Sequence, residues 1–191
     1  MGKEHYEYSA EVALERLKAG NRKYVEGSFT STDISRAVLK RFKDYGQHPY
    51  AIVITCSDSR VVPELIFGTG IGDLFVIRLA GNVIDSHQLG SIEYAADHLG
   101  TGLVVVLGHT NCGAVDAVLA GHSGEYIKFI AESIKEAIGE EKDPYEACRK
   151  NVEHCCRRIE SSLVIQADEK KYGLKVMGAI YDIETGEVKF L

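Results

Sequence analysis

The chain has 191 residues, of which 45% are hydrophobic and 26% charged, a composition that excludes a disordered or fibrous chain and suits one folded domain. Its formal charge of -6 argues against nucleic acid and anionic membrane as partners, since both demand clustered Lys and Arg to meet phosphate. A small molecule is the default ligand, and five irregularly spaced cysteines suit reduced thiols better than a disulfide framework.

At the amino terminus, MGKEHYEYSAEVALERLKAGNRKYVEG has no long apolar core, so neither a secretory signal nor a membrane span is expected and the reading is cytoplasmic. Val12, Leu14 and Leu17 begin an amphipathic helix, with Ser9 as N-cap, that ends near Gly27. A weaker helix is expected between Asp33 and Gly46. Four short runs follow: YAIVIT from Tyr50, DLFVIRL from Asp73, LVVVLGH from Leu103 and LKVMGAIYD from Leu174. Each is nearly unbroken in apolar residues and rich in Val and Ile, the pattern of strands buried on both faces. Between them lie helical stretches, SHQLGSIEYAADHLG and the region from Ala114 to about Lys171, the latter with one long helix, DPYEACRKNVEHCCRRIESSLVIQ, opened by Asp143 and Pro144. Such alternation predicts an α/β fold: a mainly parallel central sheet flanked by helices. The Thr185-Gly186 turn adds an antiparallel edge hairpin near the C-terminus.

Ligand sites in open parallel sheets lie beyond the carboxyl ends of the strands. Two motifs fall there. CSDSR, residues 56–60, follows the first run, and HTNCG begins with His109 at the end of the third. If these strands are neighbours, the motifs converge. Cys56, His109 and Cys112 would offer zinc two thiolates and an imidazole, leaving one tetrahedral position open, the mark of a catalytic site. The plain alternative makes the cysteines small core residues and His109 a satisfied buried histidine. Against it stand Asp58 and Arg60, ionised groups at a strand end that need a partner or a task. Two apart in an extended segment, they would point to one side and pair. That pair either caps the strand or holds Asp58 ionised to accept a hydrogen bond from a zinc-bound hydroxide.

CSDSR followed by HTNCG resembles the beta-class carbonic anhydrases, and ALERLKAGNRKYV, GDLFVIRLAGNVI and GSIEYAADHLG extend the likeness over most of the chain. It is looser after about residue 122. The resemblance implies one zinc ion per chain on Cys56, His109 and Cys112, a catalytic dyad of Asp58 and Arg60, and reversible hydration of carbon dioxide to bicarbonate and a proton. Gln47 matches a substrate-binding glutamine, the Gly113 amide a further donor, and Phe75, Ala80 and Tyr94 the lining of an apolar pocket beside zinc. It also implies a homodimer or dimer of dimers built on the amino-terminal helices, with each cleft at a subunit interface. The single domain, 1–191, then divides into a helical arm (1–46), a zinc-site core (47–121) and C-terminal helices with edge strands (122–191). Some members carry a tryptophan three residues before the first cysteine, associated with a bicarbonate pocket and a closed site. This chain has Val53 there and no tryptophan, which predicts the open arrangement with Asp58 on Arg60, although Arg78 is retained from that neighbourhood.

Cys148, Cys155 and Cys156 on the long helix are read as core or surface residues rather than a second metal site. His87, in the loop after the second strand, is a candidate proton shuttle or else a solvated loop histidine. GTGIGD, from Gly68, precedes a strand and is a turn, not a phosphate loop. Three other functions compete: hydrolysis of carbon disulfide or carbonyl sulfide on the same scaffold, noncatalytic zinc binding, and thiol redox chemistry. The dyad speaks against the second, and the lack of a CxxC pair against the third.

Overall fold

A computed structural model describes residues 6–28, 33–122, 124–125 and 127–191. Its centre is one five-stranded sheet of β1 (Ala51–Thr55), β2 (Leu74–Arg78), β3 (Leu103–His109), β4 (Lys175–Tyr181) and β5 (Val188–Phe190), in the order β2-β1-β3-β4-β5. The first four strands run parallel and β5 returns antiparallel on β4, as the sequence predicts.

The pleat divides the core. On one face Ala51, Val53, Leu103, Val105 and Leu107 pack against Ala10, Ala13 and Leu17 of α1 (Ala10–Val25) and against Ile66 of the short α3 (Pro63–Ile66). Ser9 caps α1 by accepting from the Val12 amide. On the other face Ile52, Ile54, Val104 and Val106 meet the remaining helices: α4 (Ser86–Glu93, prolonged by a wider turn to His98), α5 (Gly113–Leu119), α6 (Ile127–Ile138), α7 (Pro144–Glu160) and α8 (Leu163–Tyr172). Val152 of α7 sits so close to the sheet that a Cβ on Gly108 or Gly178 would lie within 3 Å of its methyl groups. Glycine at both positions lets α7 approach β3 and β4. Among the described residues no helix is long and apolar enough to cross a membrane.

Two expectations are corrected. First, β2 is not buried on both faces: it is an edge strand, and Leu74, Phe75, Val76 and Ile77 are all partly exposed. Its apolar run carries no signal distinguishing a central strand from an edge strand. Second, the long helix breaks after Glu160. The Ser162 hydroxyl accepts from the amides of Val164 and Ile165, starting α8 as a separate helix, because a serine that caps competes with continuation of the helix. Helix α1 packs Ala10, Ala13 and Leu17 on its own sheet and leaves Val12 50% exposed, whereas α2 (Arg36–Tyr45) has no buried residue and leaves Leu39 51% and Tyr45 75% exposed.

Candidate metal centre

Strands β1 and β3 are hydrogen-bonded neighbours, so the two motifs meet at their carboxyl ends. Thr55 ties these ends together, its hydroxyl donating to the Leu107 carbonyl at 2.8 Å. His109 closes β3. The chain then turns through Asn111, whose φ of 54° lies in the left-handed region that asparagine tolerates, and Cys112 arrives facing the site just before α5. Thr110 anchors this turn to the end of β4: its amide donates to the Tyr181 carbonyl, and its hydroxyl accepts from the Ile183 amide.

The ligand atoms of Cys56, His109 and Cys112 all lie within 4.8 Å of one another, the one such group among the described residues, and all three residues are buried. His109 shows what the cluster is shaped for. Its Nδ1 meets the Thr110 carbonyl at 2.9 Å, while Nε2 is buried without a hydrogen-bond partner. Orphaned buried nitrogens are costly, and a metal ion is the partner this donor set fits. Two sulfurs and one imidazole nitrogen are the borderline-soft donors that zinc takes, with three protein ligands typical of an open site.

Backbone amides surround both sulfurs. Cys56 Sγ accepts from the Gly81 amide at 3.2 Å, and the Asp58 amide also points to it. The amides of Ala114 and Val115, in the first turn of α5, point to Cys112. The proximity of Cys112 is the largest cause holding Cys56 below the ordinary thiol range, and the proximity of Cys56, with burial, holds Cys112 above it.

Beside the thiols lies the carboxylate–guanidinium pair. It forms, but not by strand alternation. Residues 56–58 have left the strand, and the Arg60 amide donates to Asp58 Oδ1 at 2.9 Å in an Asx turn. This folds the arginine back so that its Nε and Nη2 grip Oδ1 and Oδ2 at 3.0 and 2.7 Å. The hydrogen bond from Arg60 holds the Asp58 carboxyl well below the usual carboxylate range. Nη2 also donates to the Asn111 carbonyl at 3.0 Å, so Arg60 joins the two motifs. Asp58 Oδ2 lies 4.0 Å from His109 Nε2, close enough to face a ligand seated between them.

Three residues take roles that the sequence reading does not give them. Arg78 clamps the backbone of the first motif, donating from Nε to the Cys56 carbonyl and from Nη2 to the Asp58 carbonyl. Asn111 accepts from Arg60, and Gly81 bonds Cys56 through its backbone. Only Arg78, a charge ending an apolar strand, offered a readable signal.

The remaining candidates divide by location. Gly113 begins α5 directly after Cys112, and Ala80 immediately precedes Gly81. Phe75 is in register with Ile52, four residues or about 13 Å of strand from Cys56, and Gln47 lies beyond the same amino-terminal end of β1. Tyr94, 46% exposed, has its ring 6.3 Å from that of Phe75. Within one chain these three residues therefore stand away from the cysteines. The His87 side chain is 95% exposed, its Nδ1 3.5 Å from Asp85. Cys148 and Cys155 are buried and Cys156 half-buried, and burial pushes their thiols up to about 11, 12 and 12 respectively, so they remain neutral core thiols at neutral pH.

A Cys2His donor set at the carboxyl end of a parallel sheet, next to a paired carboxylate, defines an α/β protein with a site suited to a tetrahedral metal ion. A family model described as carbonic anhydrase matches residues 51–188, and the chain belongs to the beta-carbonic anhydrase family. Carbonic anhydrase 2 of Mycobacterium tuberculosis is 44% identical over 135 residues, 66% of this chain and 63% of that protein. The chain thus matches just under two thirds of that relative's length. The beta-carbonic anhydrase CafA of the fungal pathogen Aspergillus fumigatus superposes with a TM-score of 0.73 at 28% identity, covering 81% of this chain and 85% of that one. A tetrameric beta-carbonic anhydrase of the ascomycete Sordaria macrospora gives 0.70 at 29%, covering 81% and 90%.

Proposed function

We propose that the protein catalyses the reversible hydration of carbon dioxide to bicarbonate and a proton, with zinc held by Cys56, His109 and Cys112. The observation that carries this reading is the buried, unpartnered His109 Nε2 set among two thiols and within 4.0 Å of a carboxylate whose orientation Arg60 fixes. Bound zinc supplies the Lewis acidity that ionises water near neutral pH. The chain's own residues do the rest. Asp58, kept ionised by Arg60, accepts a hydrogen bond from the attacking oxygen and orients its lone pair. Arg60, gripping both Asp58 oxygens and the Asn111 carbonyl, keeps Asp58 from turning away. The Gly113 amide is assigned the oxygen of the product anion, and Ala80 part of the apolar wall that suits an uncharged substrate without a net dipole.

Gln47, Phe75 and Tyr94 are assigned to the site of a second copy in a homodimer. Their distance from their own chain's cysteines supports this, as do the partly exposed apolar edge of β2 and the uncovered apolar residues of α2. Mixed dimers test the assignment. Asp58→Asn and Gln47→Ala chains, each nearly inactive alone, should recover activity on co-refolding, since the mixed dimer holds one site with both residues intact. If Gln47 served its own chain, each mixed site would lack one residue and no activity would return.

Turnover assayed side by side on carbon dioxide, carbonyl sulfide and carbon disulfide tests the reaction itself. Hydration of carbon dioxide as the dominant activity is expected; hydrolysis of a sulfur gas alone would reassign the substrate.

A further inference from the structure

One face of α7 stands behind both cysteines of the metal centre, and its most costly residue has no task in the reaction. Cys148, Asn151 and Cys155 lie at spacings of three and four, so they share that face. Cys148 lies beside the backbone amide of Cys112. Asn151 and Cys155 address the tight turn at Ala80–Asn82, whose Gly81 amide donates to Cys56 Sγ. Asn151 Nδ2 donates to the Gly81 carbonyl at 2.7 Å, and Cys155 Sγ to the Asn82 carbonyl at 3.4 Å.

The turn needs such support. Gly81 and Asn82 both have positive φ, 66° and 46°, a pair of left-handed residues that an L side chain resists. A Cβ on Gly81 would fall 2.7 Å from Ile134 of α6 and 3.2 Å from Ala114 of α5, so the turn is wedged among three helices. Asn151 is only 1% exposed, and its Oδ1 has no hydrogen-bond partner. An apolar residue there would avoid leaving a buried oxygen unpaired. The amide earns its place through the one bond it makes. That bond, with the Asn82 amide donating to the Leu79 carbonyl at 2.9 Å, holds the peptide following Gly81, next to the one whose amide meets Cys56.

We infer that Asn151 is a positioning residue for the metal centre: by holding the Gly81 carbonyl it aims the Gly81 amide at the Cys56 sulfur, setting that ligand's orientation and its electron donation to the metal. This rests on the metal-site reading above. Partners of this outer kind contribute about 10–100-fold to metal affinity in characterised sites.

The test compares wild type, Asn151→Ala, Asn151→Val and Val152→Ala. Val152 lies on the same helix but packs on Gly108 and Gly178, away from the turn, so its truncation reports the effect of loosening α7 alone. Zinc affinity is read by chelator competition, and the cobalt-substituted proteins by their thiolate-to-cobalt absorption. Both Asn151 variants should bind zinc about 10–100-fold more weakly and shift the charge-transfer band. Val152→Ala should lower thermal stability while leaving band and affinity near wild type. Unchanged affinity and spectrum in the Asn151 variants, or an equal change in Val152→Ala, would overturn the positioning role while leaving the metal site standing. Failure of wild type itself to bind zinc would overturn the metal-site reading, and this role with it.

Discussion

Replacing Asp58 with Asn should reduce carbon dioxide turnover by about 10²–10⁴-fold, the range expected when a positioned proton acceptor is lost, while leaving bound zinc near wild-type content. The substitution keeps shape and removes charge. Asn can still accept one hydrogen bond from Arg60, so the turn at residues 58–60 should persist, but the amide nitrogen presents a donor where a lone pair is needed. The ionic state of the native residue follows from its shift. Arg60 lowers the folded pKa of Asp58, so the pair is fully present above the unfolded value of about 3.9 and is lost only as pH falls through the lower folded value. Throughout neutral and alkaline pH its charge is therefore constant. Steady-state kinetics with metal analysis on the same sample checks the prediction; full activity in Asp58→Asn would remove the carboxylate from the mechanism.

Cys112→Ala should lose the metal itself. Cys112 is one of three protein donors whose ligand atoms lie within 4.8 Å of one another. Removing it leaves two donors, so zinc affinity should fall by more than the roughly 10–100-fold that an outer-sphere loss costs. The fold should survive. Cys112 precedes α5 without capping it through its side chain, and Thr110 still ties the preceding turn to β4. Thermal unfolding offers a second readout, since a ligand that binds only the folded state raises its stability by mass action. Added zinc should raise the wild-type midpoint and leave that of the variant unmoved. Undiminished zinc in Cys112→Ala would refute the ligand assignment.

Much of this architecture is legible in the residues. Short apolar runs, the second and third each followed by a helical stretch, announce the parallel strands, and the ligand-bearing motifs sit at run ends, where such sheets place their chemistry. What the run pattern hides is context. Leu74–Ile77 reads as core, yet β2 is an edge, because an apolar run does not show on how many sides its strand finds a neighbour. The Asp58–Arg60 pair was foreseeable, but its geometry was assigned to strand alternation; the available signal was Asp followed two residues later by an amide it could accept from, the Asx turn. At Ser161 and Ser162 the capping residues were present in a run that also suits an unbroken helix, and tertiary packing decided between them. Gly81 was the least visible contributor, since it acts through a backbone amide. Asn151, a polar residue one turn from Cys148 on an otherwise apolar face, was the readable sign that this part of α7 does more than fill space.

The central claim is that three buried donors and a paired carboxylate form a zinc-dependent hydration site. It is tested most directly by stopped-flow hydration of carbon dioxide with a pH indicator, from neutral to alkaline pH, with zinc measured on the same preparation. The account predicts rapid turnover with about one zinc per chain, already active at neutral pH because Asp58 is held by Arg60. Stoichiometric zinc with no hydration at any pH would contradict it.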